Sequence, residues 1–557
     1  MSPTAALQGI APPAAAERPP GGSGLSLTLL AALGLQVIFG LTAWFIPTAL
    51  NSDSAFGFYV WDSWRAGAPW NQAIYPLPAD IARTTSVFQA WWSPGQYLVA
   101  APWQWTGLSL GHAIAVGGSF ASAIAIAGFW ILYRDSGFSR PVAGWSVLAL
   151  ACNWTLTRTY GDYLGGEIAL LAVLPWLLLA TRKCLRAGGW GWIAVSGICW
   201  LGAMAKNTYL PIGAGLIAGF RGEQLLARPG RGAARVAEAA RWIACLALGY
   251  FLYWATYLRL GTSPGSALGG TVNPDAWFNL LRLPGYPVSC VFSLGTIIGR
   301  IFLHPDHPLV AEQRELWPLY LATTVSALAV LWVLLKREFT LRPAWARMLA
   351  GVIAANLGFY LLILLWRDAE GMDERFFKPV GFLLLPAVVD FVRSGRPRWT
   401  AGLLGAALML SSAYGLAAWA NRTHYLTQVG NAGRRGITQH VLSRQALQVL
   451  QAIDTALPPN SLVVVPSPEM ALEMRRTRVM PTHAIMMPAA FSAQTRYQGR
   501  VPDLVILVNH RMLAQGRAQA LLGSFVDYAP AGWTVHAYGD WLFYQQGDFS
   551  DWPRPTP

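Results

Sequence analysis

Acids and cations crowd against the ends of long apolar runs in this chain. The stretch NSDSAFGFYVWDSWRAGAPWN sets Asp53, Asp62 and Arg65 directly after the first such run, and TRTYGDYLGGE carries Arg158, Asp162 and Glu167. Lys206 follows another run, and HPDHP supplies His304, Asp306 and His307. The segment RDAEGMDERFFKP adds Asp368, Glu370, Asp373, Glu374, Arg375 and Lys378. An acid at the end of a membrane-length run is costly if half-buried and unpaired, so such a group, with a few cations, marks a site at a membrane surface. The chemistry that suits it is transfer of a sugar from a lipid-carried phosphate. A carboxylate takes the proton of an attacking hydroxyl or amine, and cations hold the phosphate as its negative charge develops. Asp53 fits the base, Asp162 and Glu167 are candidates for a second acid, and Arg375, Lys206 and Lys378 are candidates for the donor-phosphate clamp.

The elements that must position these residues are membrane spans. The chain has 557 residues, of which 54% are hydrophobic and only 12% charged, too few charges to coat a soluble protein of that size. Apolar runs long enough to cross about 30 Å of hydrocarbon recur along it. The first, 25–50, is too long for a signal-peptide core and no cleavage pattern follows it, so it reads as a retained span. The stretch SPGQYLVAAPWQWTGLSLG, with Pro102, Trp103 and Trp105, reads as a helix lying at the interface. The remaining runs, at 113–133, 142–156, 168–180, 192–204, 209–220, 242–257, 317–335, 349–366, 379–392 and 403–420, then alternate in direction. The fold expected is a polytopic α-helical membrane protein of about 11 transmembrane helices.

The net charge of +14 would suit a nucleic-acid partner if taken alone. The Arg and Lys residues fall in short loops on alternate sides of the spans, which is the positive-inside pattern and leaves no call for nucleic acid. That pattern puts the N-terminus in the cytoplasm and the acid-rich loops outside. It also favours the interfacial reading of 96–110, since a crossing there would move every arginine-rich loop to the outer side. The five cysteines are scattered, form no CxxC and lie mostly in apolar runs, as small core residues do. A connection of roughly 55 residues after 257 is long enough to be functional.

Residues 1–24, rich in Pro, Ala and Gly, read as a disordered cytoplasmic tail. Residues 25–420 form the transmembrane domain, with loop 51–110 carrying the first acidic motif. From 421 the pattern changes. Leu447, Leu450, Ile453 and Leu457 have helical spacing, SLVVVP and DLVILVNH read as buried strands, and WTVHAYGDWLFYQQ reads as a hairpin turning at Gly539-Asp540. Residues 421–557 are therefore expected to be an extracytoplasmic α/β domain, a size compatible with an independent fold.

A first span followed at once by an acidic motif resembles the GT-C superfamily of integral-membrane glycosyltransferases, whose members include protein mannosyltransferases and aminoarabinose transferase-like enzymes. In this sequence Asp53 stands at the acid position and WRAGAPW in place of the small-residue turn. WWSPGQYL is similar to the Pro-containing interfacial helix, GDYLGGE falls where the family keeps a second acid, and DERFFKPVGFLLLP is similar to its arginine–aromatic motif. The resemblance covers about residues 25–420. It implies an inverting transferase that moves a sugar from a polyprenyl-phosphate donor to an envelope acceptor (lipid, polysaccharide or protein) on the outer face of a bacterial inner membrane. Members often have a paired acid at the first motif, whereas Asp53 is flanked by Ser52 and Ser54. The second acid maps to Asp162 or to Glu167. No cofactor is required by this reading, and a divalent metal stays open.

Each site residue has a plainer alternative. Asp53 could cap a helix beginning near Ala55, and Asp62 with Arg65 could be a surface pair. Glu167 could answer a helix dipole, Lys206 could snorkel from a span end, and Arg375 could pair with Asp373 or Glu374. HPDHP suits an extended loop better than a metal site, because its histidines cannot share a helical face. Two other classes of function stand beside the transferase. A flippase of lipid-linked saccharides would need broken helices or midplane charges, and the spans show neither. A non-catalytic assembly scaffold would have lost the base.

Overall fold

Where an apolar run leaves no water to satisfy backbone N–H and C=O groups, the chain must satisfy them within a helix. The computed structural model describes residues 26–90, 93–187, 190–226, 232–261, 276–303, 313–366, 374–431, 433–482 and 495–553. Among them, seven helices are long and apolar enough to cross a membrane. In chain order the elements begin with α1 (Leu27–Phe45), β1 (Ala49–Leu50), α2 (Ser52–Arg65) and the antiparallel ribbon β2 (Gln72–Leu77) and β3 (Asp80–Phe88). Two short helices follow, α3 (Gly95–Leu98) and α4 (Ala101–Trp105). They are too short to cross, and Gln96, Tyr97, Ala101 and Gln104 are buried while Trp105 is exposed, as an interfacial segment requires.

The bundle continues through α5 (Leu110–Asp135), α6 (Arg140–Ala151), α7 (Trp154–Arg158), β4 (Asp162–Tyr163), α8 (Gly165–Ala187), α9 (Gly191–Ala205), α10 (Tyr209–Leu226) and α11 (Gly232–Thr256). The expected span 142–156 is broken: α6 ends at Ala151, and Asn153 caps α7 by accepting from the Thr155 N–H at 3.1 Å. The long connection after 257 is partly helical, with α12 (Ala276–Arg282), α13 (Tyr286–Ser289) and α14 (Leu294–Phe302). His304, Asp306 and His307 lie outside the described residues, as do Asp368, Glu370 and Asp373. Then come α15 (Trp317–Leu341), α16 (Pro343–Trp366), α17 (Lys378–Ser394) and α18 (Arg398–Val429). The seven candidate spans are α1, α5, α8, the α11 segment, α15, α16 and α18. The helices α6, α9, α10 and α17 stand where four further spans were expected, but are shorter or interrupted by charge.

Side-chain exposure fits the bilayer reading. Leu27, Phe45, Trp332, Leu362 and Met409 are exposed apolar residues on spanning helices, which costs nothing against lipid. One end of the bundle is tied by ion pairs: Arg182–Asp135 at 3.0 Å, Arg342–Glu338 at 2.9 Å, and Asp390 shared between Arg337 at 3.0 Å and Arg342 at 3.2 Å. Three acids thus offset part of the basic charge at that end.

After α18 the chain forms α19 (Arg444–Ala456), β5 (Leu462–Val465), α20 (Pro468–Ala471), β6 (Arg478–Pro481), β7 (Asp503–Asn509), β8 (Thr534–Tyr538) and β9 (Trp541–Gly547). The five-stranded sheet runs β6-β5-β7-β9-β8, with β5 parallel to both neighbours and β8–β9 closing as a hairpin through Tyr538↔Trp541. Every residue of β5 is buried, as its apolar run demands of a strand covered on both faces. This region rests on the first polar loop. Tyr59 Oη donates to the Val479 carbonyl at 3.1 Å, the Arg478 guanidinium donates to the Arg83 carbonyl at 2.8 Å, and Arg435 pairs with Asp62 at 2.5 Å.

Candidate active site

The site begins with a backbone splice. β1 and β4 pair in parallel, Ala49 with Asp162 and Leu50 with Tyr163, so the chain entering α2 and the chain entering α8 run side by side. Ser54 Oγ then accepts from the Gly165 N–H at 3.1 Å. Glycine is needed here because a Cβ on Gly165 would lie 1.9 Å from the Gln96 carbonyl oxygen. Gly95 approaches the Ala205 carbonyl as closely, with a Cβ there falling 2.2 Å away. These contacts bring the starts of α2 and α8, the short helix α3 and the end of α9 to one place. No longer side chain at 95 or 165 would permit it.

Asp53 sits in the first turn of α2 and does not cap it. Asn51 is the cap, its side chain accepting from the Asp53 N–H at 2.9 Å. The Asp53 carboxylate, about a third exposed, faces Arg375 at 3.9 Å. Glu167, in the first turn of α8, pairs with Lys206 at 2.5 Å, and both side chains are largely buried. Arg375 also lies within electrostatic reach of Glu167. Phe376 floors this cluster, with the Arg375 guanidinium 5.2 Å and the Lys206 ammonium 5.9 Å from its ring centre. Tyr360 stacks behind Phe376 at 5.7 Å. Four of the six expected residues are therefore assembled: Asp53, Glu167, Lys206 and Arg375.

The other two stand apart. Asp162 is engaged by Arg422 of α18, with Arg158 at 3.9 Å, and half-buried His440 adjoins the pair. Burial and the Arg422 charge push the His440 imidazole below the usual histidine range, against the opposite pull of Asp162. Lys378 is 1% exposed, and its ammonium meets the Cys290 carbonyl at 2.8 Å, Ser293 Oγ at 2.8 Å and Glu374 at 3.2 Å. With three donors engaged it fastens the turn before α14, where Ser293 adopts φ 54°, and is not placed to clamp a phosphate. Asp62 likewise belongs to the Arg435 contact rather than to a surface pair with Arg65. Its carboxyl is pushed up by burial, although Arg435 and Arg65 pull it down.

Two features escaped the sequence reading. Glu469 of α20 is buried where that helix packs on α2. Nothing in SPEMALEM marks it, because its neighbour at Ser52 is more than four hundred positions away. Arg282, buried over the rings of Tyr320 (4.3 Å), Tyr286 (5.4 Å) and Phe278 (5.5 Å), lines a small open cleft beside Ser289 and Thr324.

The described acids are not arranged to hold a divalent metal. Among the described residues no group of three His, Cys, Asp or Glu side chains converges, and Asp53, Glu167 and Asp162 each face a cation that would compete with a metal for the same oxygens.

The bundle of membrane-length helices joined to a small sheet region is a fold that this chain shares with a solved GT-C membrane protein, described below. No protein family and no curated protein matches it by sequence. Among solved structures it is similar to ArnT from Cupriavidus metallidurans in the apo state, at 10% identity and a TM-score of 0.50, over 93% of this chain and 97% of that one. ArnT bound to undecaprenyl phosphate matches over the same shares at 11% identity and a TM-score of 0.49. The Archaeoglobus fulgidus oligosaccharyltransferase in complex with Zn and sulfate matches over 93% of this chain and 72% of that one, at 13% identity and a TM-score of 0.44.

Proposed function

We propose that this protein is an inverting glycosyltransferase that moves a sugar from a polyprenyl-phosphate donor to a cell-envelope acceptor, working at the outer face of a bacterial inner membrane. The observation that carries the reading is the cluster at the helix ends: a part-exposed carboxylate, Asp53, facing Arg375, which shares the Phe376 ring with the Glu167-paired Lys206. The acceptor hydroxyl or amine gives its proton to the Asp53 carboxylate as its oxygen or nitrogen bonds to the anomeric carbon. The anomeric C–O bond to phosphate breaks on the opposite face, and its electron pair leaves with the polyprenyl phosphate. Arg375 and Lys206 hold that growing negative charge. Glu167 balances Lys206 while no phosphate is bound and keeps the ammonium aimed at the site. The acids lie in the sequence beside apolar span ends, so the sugar reacts at headgroup level while the prenyl tail stays in lipid.

The positive-inside pattern supports a cytoplasmic N-terminus and an extracytoplasmic region from about 421 onward. A flippase is disfavoured because the described charges of this cluster sit at helix ends. The test is transfer in proteoliposomes from a panel of polyprenyl-phosphate sugars, undecaprenyl carriers first, to an envelope-lipid extract. Wild type should transfer and a folded Asp53→Asn variant should not. Equal transfer by both proteins would remove Asp53 as the base.

A further inference from the structure

Arg282, at the end of α12, is a buried cation that the transfer scheme leaves unused. It is 9% exposed, and its guanidinium lies 4.3 Å from the Tyr320 ring centre, with Tyr286 and Phe278 at 5.4 and 5.5 Å. Ring faces steady such a cation but accept nothing from the N–H donors in its plane. Among the described residues those donors have no hydrogen-bond or ion-pair partner, and neither has the hydroxyl of buried Thr324. Both residues line the same small open cleft, together with Ser289 and Thr323.

The charge around the cleft is not balanced. Gly295 stands between Arg282 and the Glu374 carboxylate, since a Cβ there would lie 2.8 Å from Glu374 Oε2 and 3.6 Å from Arg282 Nη2. That acid, 2% exposed, is already taken. Its Oε2 accepts from the Gly295 N–H at 2.8 Å, while Oε1 accepts from Thr296 Oγ1 at 2.9 Å and faces the Lys378 ammonium at 3.2 Å. Here two buried cations share one buried acid among the described residues, and Arg300 of α14 adds exposed positive charge. Glu315, just before α15, is exposed and forms no ion pair with Arg282. A buried charge without a counter-ion is costly, and an entering anion would offset that cost.

We propose that this cleft holds the phosphate of an anionic bilayer lipid, at a place separate from the Asp53–Arg375 cluster. The guanidinium edge takes two phosphate oxygens in its planar fork, and the Thr324 hydroxyl donates to one of them. The cleft is small, so only those charged oxygens enter it. A free phosphate would use the cation and the hydroxyls alone, whereas this cleft is also lined by aliphatic Leu294 and Ile298. Next to it α14 and α15 expose Ile301, Leu321 and Val325, on which acyl chains can lie. Tyr320 and Thr324 are about 5–10 Å into α15 from its Trp317 end, a depth at which headgroups give way to hydrocarbon. Arg375, next to Glu374 in sequence, faces Asp53 instead. The site stands whichever residue is the base.

The test titrates the full-length protein in detergent with phosphatidylglycerol, phosphatidylcholine and inorganic phosphate. Native mass spectrometry reads the tightest-bound lipid, and thermal unfolding reads the stabilisation each probe gives. Wild type should bind phosphatidylglycerol about tenfold or more tighter than phosphatidylcholine, whose choline cancels the phosphate charge. Arg282→Met, which keeps an apolar stem against the rings, should weaken phosphatidylglycerol binding by about ten- to a hundredfold. Thr324→Val should weaken it by about three- to tenfold, so the conclusion does not hang on the folding of one variant. Arg282→Lys should fall between wild type and Arg282→Met, because it keeps the charge without the planar fork. Arg375→Gln should bind phosphatidylglycerol as wild type does. An arginine that only braces its rings predicts equal binding by Arg282→Met and wild type, and that result overturns the proposal. Equal affinity for the two lipids overturns it as well, as does a loss seen in Arg375→Gln and not in Arg282→Met, which would put the anion in the donor cluster. Inorganic phosphate that raises the unfolding temperature as much as phosphatidylglycerol at the same concentration would reject a lipid as the source of the anion.

Discussion

Removing the Lys206 ammonium should separate its structural role from its chemical one. Its nitrogen lies 2.5 Å from Glu167 Oε1, and the two side chains are only 15% and 13% exposed. At an effective dielectric constant of about 20, charges that close attract by roughly 7 kcal/mol, against a desolvation cost of several kcal/mol for each ion. The intact pair is therefore near balance, but Lys206→Met strands a buried carboxylate and should cost about 3–5 kcal/mol. Adding Glu167→Gln removes the stranded charge, so the double variant should recover most of that loss. Transfer should not recover with it, since the phosphate still lacks one cation, and a drop of about 10²–10³ in rate is expected in both variants. Thermal unfolding in detergent measures the first effect and proteoliposome transfer the second. A double variant as unstable as Lys206→Met would refute the buried-pair argument. A double variant that transfers at the wild-type rate would refute the phosphate-clamp role.

Asp53→Asn should lower transfer by about 10²–10⁴ with little change in stability, because a part-exposed acid at a helix start contributes little to folding; rate and unfolding measured on one preparation decide it. Gly165→Ala should fail to assemble the site, as its methyl would meet the Gln96 carbonyl at 1.9 Å, and its unfolding temperature should fall sharply while Gly34→Ala, with nothing within 4 Å, stays near wild type. His440 has a lowered pKa, so the stability its neutral form confers is complete above the ordinary histidine value and drains away as pH falls through the folded value. His440→Gln should flatten that acid-side slope in unfolding curves taken between pH 7 and about pH 5. Asp62→Asn leaves the Arg435 guanidinium without its carboxylate and should raise protease sensitivity around the contact between α2 and the sheet region.

The spans and strands were legible because their signals are local. Apolar length marks α1, α5, α8, α15, α16 and α18, and short apolar runs mark β5 and β7. Where the expectation slipped, a local breaker or a distant partner decided the outcome. Asn153 capped a new helix inside an expected span, and Asn51 took the capping role from Asp53. In the site, Asp53, Glu167, Lys206 and Arg375 could be picked out as charges at span ends, yet their pairing could not, because it depends on Gly95 and Gly165 letting backbones touch. Lys378 looks like its neighbour Arg375 in DERFFKP, and only the carbonyl of Cys290 and the hydroxyl of Ser293 reveal that it is committed elsewhere. Glu469 carries no sequence mark at all.

The short strand before α2 has a second neighbour. Besides lying along β4, Ala49 bridges to Thr438, whose N–H donates to the Thr48 carbonyl at 3.1 Å, so three passages of chain from the beginning, the first third and the last quarter meet in one narrow ribbon. A ribosome reaches Thr438 only after every spanning helix has been made. The growing chain can enter the bilayer and pack its bundle while the strand before Asp53 still lacks one edge. Synthesis itself then acts as a timer, and a chain cut short before that point would sit in the membrane with its bundle packed and this ribbon unfinished.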